Sequence, residues 1–304
     1  MSPAALLLLP LPSTATLLPL SDPHNTRGWT PYAPMTDEFG GDALDATKWS
    51  TDSSSWAGRQ PGLFSAANVA VLNGSLRLSA RTARRNPSWP AGYDNFTTAA
   101  LHSTAHTAHG YFEVRSRSGS SSISSSWWFH FNDGNGTWTT WTEIDVYESQ
   151  GSDAPQASWH NASLLCSHTH VFKLAGVESA DLPAKCGCKF GHRRARSGVD
   201  GATDQPVCSR GGCTNLPFRL DGGWHTYGLE WNSSAVGIYA DGAPVGEALP
   251  AGCLAQPIGM DFDRETMPDW MGLPDPATLP DWPFEVDYVR AWKAAGLVEE
   301  AGAS

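Results

Sequence analysis

Three acidic side chains lie close together in residues 141–148, a segment rich in β-branched and aromatic residues. Alternate residues of a β-strand share a face, so Glu143 and Asp145 should point to the same side of a sheet. Glu148 lies an odd number of positions from Glu143, and a regular strand would turn it to the opposite side. One β-bulge near residues 146–147 brings it back. The spacing therefore predicts three carboxyl groups on one surface.

Placing three carboxyl groups side by side costs folding free energy, so such a cluster is expected where chemistry makes use of it. Neighbouring carboxylates repel one another, which raises the pKa of at least one of them. Hydrolysis of a glycosidic bond needs this situation, because one ionised carboxylate and one protonated carboxylic acid must flank the same bond. Retaining enzymes place the two groups about 5–5.5 Å apart, and inverting enzymes about 6.5–9.5 Å apart. The alternatives are a solvated acidic face and a set of calcium ligands.

The composition excludes several classes of partner. The 304-residue chain has a net charge of −11, whereas a protein that binds nucleic acid needs a basic face. It has no run of about 20 apolar residues, so we expect no transmembrane helix and no membrane partner. Trp (14 residues) outnumbers both Phe (11) and Tyr (7). That order is unusual, because Trp is normally the rarest aromatic residue.

The elements that would position the carboxyl groups are β-strands. Two short alternating runs flank Asn73-Gly74, which is the strongest short-range signal for a hairpin. Further strands are predicted at 109–117, 127–131, 142–147, 224–231, 236–240 and 284–292. Many strands joined by Gly and Pro turns indicate an all-β sandwich or barrel.

The first residues and one internal segment depart from this pattern. Residues 1–22 contain an apolar run that is too short to span a membrane and suits a secretory signal peptide. Residues 23–304 are predicted to form a single domain. Within it, residues 173–223 show no sustained periodicity and contain four of the six Cys. We expect this segment to be an irregular insertion stapled by disulfides.

The cysteines and the asparagines favour export from the cell. Cys in secreted proteins usually pair, and we favour disulfides here. The alternative is a zinc site, for which suitable side chains are present at His168, His170, Cys186, Cys188 and His192. Five Asn-X-Ser/Thr sequons allow glycosylation in a eukaryotic secretory pathway. They are Asn73, Asn95, Asn135, Asn161 and Asn232. We therefore expect a secreted, extracellular glycoprotein.

With these residues placed, the chain resembles glycoside hydrolase family 16. The bulged motif of that family, Glu-X-Asp-X-X-Glu, matches residues 143–148. The similarity extends through residues 37–49, 110–115, 224–231 and 286–292, and so from about residue 30 to 293, with the Cys-rich insertion outside it. It implies a β-jelly-roll sandwich of two antiparallel sheets with a concave substrate cleft. It also implies retaining cleavage of internal β-glycosidic bonds.

The resemblance assigns a role to each acid by position. Glu143 would be the nucleophile and Glu148 the general acid/base. Asp145, between them, would keep Glu143 ionised and oriented. The chemistry would be a double displacement, which a close pair of carboxyl groups permits.

Three further segments, 95–99, 127–130 and 265–270, are more similar to the marine galactanases, the agarases and porphyranases, than to the laminarinases. We therefore expect an endo-acting hydrolase of an algal galactan of the agar or porphyran type. The alternatives are an endo-β-1,3-glucanase and a non-catalytic carbohydrate-binding protein. The presence of all three acids disfavours the non-catalytic protein. The Cys-rich insertion and the sequons depart from the family pattern, and they leave the substrate open.

Six side chains are candidates for binding the polysaccharide. They are Trp138, Trp128, Trp270, His170, Glu265 and Arg59. The alternative for a Trp is core packing, which the apolar strand contexts of Trp49, Trp231 and Trp292 favour. The alternative for Arg59 is an ordinary surface loop.

We expect no cofactor for catalysis. Because members of the family often carry a structural calcium on the convex side, Asp287 is a candidate calcium ligand, with Asp37 or Glu38 nearby. The alternative is an ordinary surface carboxylate. The expected molecule is a monomer whose partner is a polysaccharide.

Overall fold

The computed structural model describes residues 17–132, 139–153, 161–187 and 207–295. Within these ranges the chain forms two packed sheets whose strands are almost all antiparallel. The predicted all-β sandwich is therefore confirmed. Among the residues described, no helix is long and apolar enough to cross a membrane.

The strands are numbered in chain order as β1 (Thr30–Pro31), β2 (Trp49–Ser50), β3 (Gly62–Phe64), β4 (Val69–Leu72), β5 (Ser75–Leu78), β6 (Arg81–Thr82), β7 (Phe96–Thr107), β8 (Gly110–Arg117), β9 (Ser125–Asn132), β10 (Trp141–Ser149), β11 (Leu164–Lys173), β12 (Cys208–Asn215), β13 (His225–Trp231), β14 (Ala235–Ala240), β15 (Ala243–Pro244), β16 (Leu249–Pro250), β17 (Ile258–Arg264) and β18 (Phe284–Lys293). One short α-helix, α1, spans Leu182–Cys186. Three 3₁₀ turns lie at Ala33–Met35, Ala66–Asn68 and Pro276–Thr278.

The two sheets have different roles in placing the acids. Sheet I has the order β15-β14-β13-β8-β18-β5-β4, with β1 beside β18 and β16 beside β14. Sheet II has the order β12-β11-β10-β9-β17-β7-β2, with β3 and β6 beside β7. The strand with the three acids, β10, lies inside sheet II between two long antiparallel neighbours. Its position is therefore fixed from both sides.

The hairpin predicted from the sequence is confirmed. β4 and β5 pair around Asn73 and Gly74, which have φ angles of +54° and +74°. A two-residue type I′ turn needs positive φ at both central positions, and Asn-Gly is the dipeptide that adopts it most readily.

The three Trp residues predicted to be core are all buried. Trp49 and Trp231 are 2% and 1% exposed and belong to the main core between the sheets. Trp292 is 2% exposed, but it packs in a second cluster with Trp29 and Tyr111. This second cluster shows that sheet I buries apolar surface on both faces.

The N-terminal described segment covers the outer face of sheet I. The backbone N–H of Leu20 donates to Oε2 of Glu113 at 2.8 Å, and the carbonyl of Leu17 accepts a bond from Nε1 of Trp292 at 2.9 Å. Glu113 is buried, and its burial raises the pKa of its carboxyl group. The signal-peptide boundary predicted at residue 22 thus falls inside a packed segment, and its position stays a prediction.

The Cys-rich insertion is not wholly the irregular loop that the sequence predicted. It contains α1 and β12, and β12 pairs with β11 along its whole length at the edge of sheet II. The sequence of β12 has no apolar alternation, because most of this edge strand is exposed. A prediction based on buried faces therefore misses it.

Two disulfides join described residues. Cys166 of β11 bonds to Cys213 of β12, and Cys186 of α1 bonds to Cys253, which precedes β17. The preference for disulfides is confirmed for these four residues. The alternative zinc set is wrong for Cys186, because its sulfur is already covalently paired.

Candidate active site

The pairing of β10 is irregular at the position that the acid spacing predicts. Opposite β9 the register shifts between Asp145 and Tyr147, so that Val146 is an extra residue. Val146 and Tyr147 are both buried in the main core. Two consecutive inward side chains reverse the alternation, and Glu148 returns to the face that carries Glu143. The predicted β-bulge is confirmed.

The two glutamates affect each other's ionisation. Both side chains are half-buried. Burial raises the pKa of Glu143 and of Glu148, and the charge of Asp145 raises both further. The positive charge of Arg59 and, for Glu143, two cross-strand histidines act in the opposite direction. Because each ionised group disfavours the next, the cluster can hold a proton beside a carboxylate.

A histidine on the neighbouring strand orients the central acid. Asp145 is 3% exposed, and its Oδ2 lies 3.1 Å from Nε2 of His170. The other ring nitrogen of His170, Nδ1, is 2.7 Å from Oγ of Ser209 on β12. His170 is thus held between β10 and the edge strand, directly opposite Glu143 in the pairing of β10 with β11.

On the other side of β10, a buried carboxylate binds two histidines. Oδ2 of Asp261 lies 2.7 Å from Nδ1 of His130, and Oδ1 contacts Nδ1 of His102. Burial alone would raise the pKa of Asp261, but the two histidines lower it to about 2. For His130, burial lowers the pKa and the Asp261 carboxylate more than reverses that effect, so the pKa is raised. His130 lies opposite Glu143, which is therefore flanked by a histidine on each side.

This network predicts a pH-dependent contribution to stability. The lowered pKa of Asp261 stabilises the fold above about pH 4, and that contribution is lost as the pH falls through about 2. The raised pKa of His130 stabilises the fold below about pH 6.5 and is lost at higher pH. Asp261→Asn should therefore lower the free energy of unfolding most between about pH 4 and 6.5, by about 2 kcal/mol. Urea denaturation at pH 5.5 and pH 8.5 measures the difference, and an equal loss at both values would contradict the expectation.

Aromatic side chains border the acids. Trp128 is half-buried, and its Nε1 donates to Oδ2 of Asp263 at 2.7 Å. The ring of Trp128 stacks on His130 with 5.0 Å between centroids and meets the edge of Trp56 at 5.9 Å. The bond to the buried Asp263 fixes the indole in one orientation. Part of its face remains open beside the acids.

An ion pair lies beyond these rings. Glu265 is 2% exposed and accepts bonds from the Arg59 side chain at 3.2 and 3.3 Å and from the Arg59 backbone N–H at 3.1 Å. The Arg59 guanidinium lies 5.8 Å from the ring centroid of Trp270, and 46% of the Arg59 side chain is exposed. Glu265 thus positions the partly exposed, positively charged side chain of Arg59 near Glu143 and Glu148.

The comparison with known families decides the class of this site. Residues 29–186, just over half of the chain, match the family model for the GH16 domain of β-porphyranases A–D. The chain belongs to glycoside hydrolase family 16. This family 16 protein is accordingly an O-glycosyl hydrolase of the retaining type, and the expected family is confirmed.

Individual proteins agree with this placement. β-Porphyranase B of Zobellia galactanivorans is 24% identical over 286 residues, which cover 89% of this chain and 86% of that protein. The crystal structure of porphyranase B from Zobellia galactanivorans superposes with a TM-score of 0.68 at 23% identity, over 87% of this chain and 92% of the other. The laminarinase catalytic domain of Thermotoga maritima superposes with a TM-score of 0.64 at 19% identity, over 88% and 98%. These superpositions show the jelly-roll fold that the resemblance implied.

The structure gathers most of the predicted binding residues of the family 16 protein around β10. Five of the six candidates take part in the contacts described above: Trp128, His170, Arg59, Glu265 and Trp270. Trp138 lies outside the described residues.

The sequence prediction missed Asp261 and His130, although a signal was present. In β17 the acids Asp261 and Asp263 alternate with the buried Met260 and Phe262, as Glu143 and its neighbours do in β10.

The proposed calcium ligand lies on the other sheet. Asp287 is on β18 and pairs with Arg115 at 2.6 Å. The two suggested helpers are also engaged: Asp37 accepts from Nε1 of Trp49 at 2.9 Å, and Glu38 pairs with Arg290. Each of these carboxylates is paired or hydrogen-bonded within the protein. The calcium ion stays an untested prediction, and no step below depends on it.

Proposed function

We propose that this protein is an endo-acting hydrolase of an algal galactan, with porphyran as the first substrate to test and agar as the second. The observation that carries the proposal is the match of residues 29–186 to the porphyranase domain model. The first curated relative is itself named a β-porphyranase. The fold alone does not distinguish between a galactan and a β-1,3-glucan as the substrate, because a laminarinase superposes almost as well as a porphyranase.

We assign Glu148 as the general acid/base and Glu143 as the nucleophile. Glu148 donates its proton to the glycosidic oxygen while a carboxylate oxygen of Glu143 bonds to the anomeric carbon, and the leaving sugar departs. Glu148 then takes a proton from water. That water attacks the anomeric carbon, and the bond to Glu143 breaks. Two inversions give net retention.

The electrostatics support the role of Glu148 as the acid. The pKa of Glu148 is raised well above its usual value by burial, with further increases from Asp145 and Glu143, so Glu148 can keep a proton to donate. For Glu143, burial and the charge of Asp145 raise the pKa to about 8, contrary to the expectation that Asp145 keeps it ionised, and the positive charges of the flanking His130 and His170 oppose that increase. Asp145 and the His170 that contacts it would hold the nucleophile in position.

The surrounding side chains would bind the sugar chain. Trp128 and Trp270 offer half-buried ring faces, which suit the C–H faces of galactose units. Arg59 offers hydrogen-bond donors toward hydroxyl or sulfate oxygens, whereas both ring nitrogens of His170 are engaged by Asp145 and Ser209. Glu265 acts through Arg59, because its oxygens are occupied by that residue.

We further propose that the protein acts outside the cell as a secreted, glycosylated monomer. Disulfides persist in oxidising compartments and are rare in the cytosol. The bridges Cys166–Cys213 and Cys186–Cys253 support export on that ground. A polysaccharide too large to enter a cell requires the same location.

The experiment that tests the substrate is a panel of porphyran, agarose, carrageenan and laminarin, read by release of reducing ends and by product size. We expect the largest kcat/KM on porphyran or agarose, with oligosaccharides of mixed length from the start of the reaction. A preference for laminarin would replace the galactan by a β-1,3-glucan. Binding without product release would support a non-catalytic lectin. NMR of the first anomer formed checks retention.

A tryptophan substitution tests the sugar-stacking surface. Trp128→Ala should lower kcat/KM about fivefold, mostly through KM, because an aromatic stacking contact contributes about 1 kcal/mol. Trp282→Ala is the matched control, since this 49% exposed Trp stacks on Arg117 of sheet I. Initial rates on the best substrate of the panel measure both variants. Equal losses in the two would contradict a specific role for Trp128.

A further inference from the structure

Beside the nucleophile, three side chains form a group with the donor atoms of a metal site. Asp145, His168 and His170 each present one carboxylate oxygen or ring nitrogen, and these atoms all lie within 4.8 Å of one another. We call them the His-Asp cluster. The arrangement follows from strand geometry: Asp145 on β10 lies directly opposite His168 on β11. His170, two residues further on, shares the face of His168.

The chemistry of the cluster fits a transition metal. Imidazole nitrogen and carboxylate oxygen together suit zinc and copper(II) better than calcium or magnesium, which prefer oxygen alone. Metal-binding histidines usually engage their second ring nitrogen in a hydrogen bond, which fixes the ring. His170 already does so through Nδ1 and Ser209, and its Nε2 points toward Asp145. The ring is therefore oriented before any ion arrives.

A second observation points to a missing ligand. Asp145 is 97% buried, and its Oδ2 has no hydrogen bond of suitable geometry among the described residues, although Nε2 of His170 is 3.1 Å away. A poorly aligned contact with one histidine compensates only in part for burying this carboxylate oxygen. A cation placed between Asp145 and the two histidines would satisfy it.

We propose that the His-Asp cluster binds one zinc or copper(II) ion, and that the bound ion inhibits hydrolysis. Zinc bonds to nitrogen and oxygen are about 2.0–2.2 Å long, so donors already within 4.8 Å of one another need only small side-chain rotations. His168 and His170 are half-buried rather than enclosed. A fourth position is thus open to water on the substrate side.

Inhibition follows from where the ion would sit. The ion would occupy the carboxylate that orients Glu143, and it would place two positive charges next to the nucleophile. Attraction to that charge holds the Glu143 carboxylate away from the anomeric carbon. This part rests on the proposed function, whereas metal binding does not. The two parts can therefore fail separately.

The test uses the full-length protein, stripped with EDTA and titrated with ZnCl₂ in a calorimeter. We expect one zinc ion per chain. With CuCl₂, electron paramagnetic resonance should show coupling to two imidazole nitrogens. His168→Ala should weaken zinc binding at least about 100-fold and leave one imidazole in the copper spectrum. His225→Ala is the control, because His225 also contacts a carboxylate, that of Asp241 at 2.8 Å, but lies outside the His-Asp cluster. It should bind zinc as the wild type does.

Activity assays then test the inhibitory part. Zinc should abolish hydrolysis by the wild type, and EDTA should restore it. In EDTA, His168→Ala should keep wild-type activity, and it should resist zinc. Unchanged zinc affinity in His168→Ala, or no zinc bound to the wild type, would overturn the site. Full activity of zinc-loaded wild type would overturn inhibition alone. If no polysaccharide is cleaved, the calorimetry still decides on the site.

Discussion

Glu143→Gln is expected to lower kcat/KM by about 10⁴-fold or more on the substrate that the wild type cleaves. The amide cannot form the covalent bond to the anomeric carbon that a double displacement requires. The fold should be unaffected, because burial and the charge of Asp145 already disfavour the ionised form of Glu143. We expect the melting temperature at neutral pH to be equal or slightly higher. Reducing-end assays and thermal unfolding measure the two effects.

A control variant and two azide-rescue experiments separate the roles of the two glutamates. Glu178→Gln makes the same change at an exposed position and should keep full activity. Azide should rescue Glu143→Ala by a single displacement and give a glycosyl azide of inverted configuration. In Glu148→Ala, azide should attack the glycosyl-enzyme and give the retained configuration. Activity of Glu143→Gln within tenfold of wild type, or the opposite azide stereochemistry, would contradict the assignment.

Asp281→Asn is expected to cause the largest loss of stability, about 3–5 kcal/mol of the free energy of unfolding. The Arg264 side chain is fully buried, and it donates to Oδ1 of Asp281 at 2.8 Å and to Oγ of Ser121 at 3.0 Å. Removing the carboxylate charge leaves a guanidinium in the interior without its counterion. Because Arg264 directly precedes Glu265, we expect activity to fall as well. Urea denaturation measures the stability difference.

A second ion pair provides the comparison. Arg115 and Asp287 are 39% and 36% exposed, so Asp287→Asn should cost less than about 1 kcal/mol. Replacing both partners of the buried pair, as in Arg264→Met with Asp281→Leu, should recover much of the loss seen in Asp281→Asn. Similar losses of stability in Asp281→Asn and Asp287→Asn would show that the burial of Arg264 does not determine how much stability is lost.

Local patterns were sufficient to predict the catalytic strand. The bulge followed from the failure of the two-residue period at Glu148, and the hairpin followed from Asn73-Gly74. Both features depend on residues that are neighbours in the chain. The histidine network could not be predicted in this way, because Asp261 meets His130 only after two strands far apart in sequence become adjacent. Strand order is a property of the whole sheet, and residue alternation carries no information on it.

The edge strand β12 has a practical consequence for making the protein. Cys166 and Cys213 are directly opposite each other in the pairing of β11 with β12, so their bond clamps the outermost strand to its neighbour. Ser209, which steadies His170, belongs to that outermost strand. A bacterial cytoplasm keeps thiols reduced. In recombinant material from such a host, no covalent bond would hold β12, and with it Ser209, beside His170, whereas a periplasmic or secretory host would lock the strand in place.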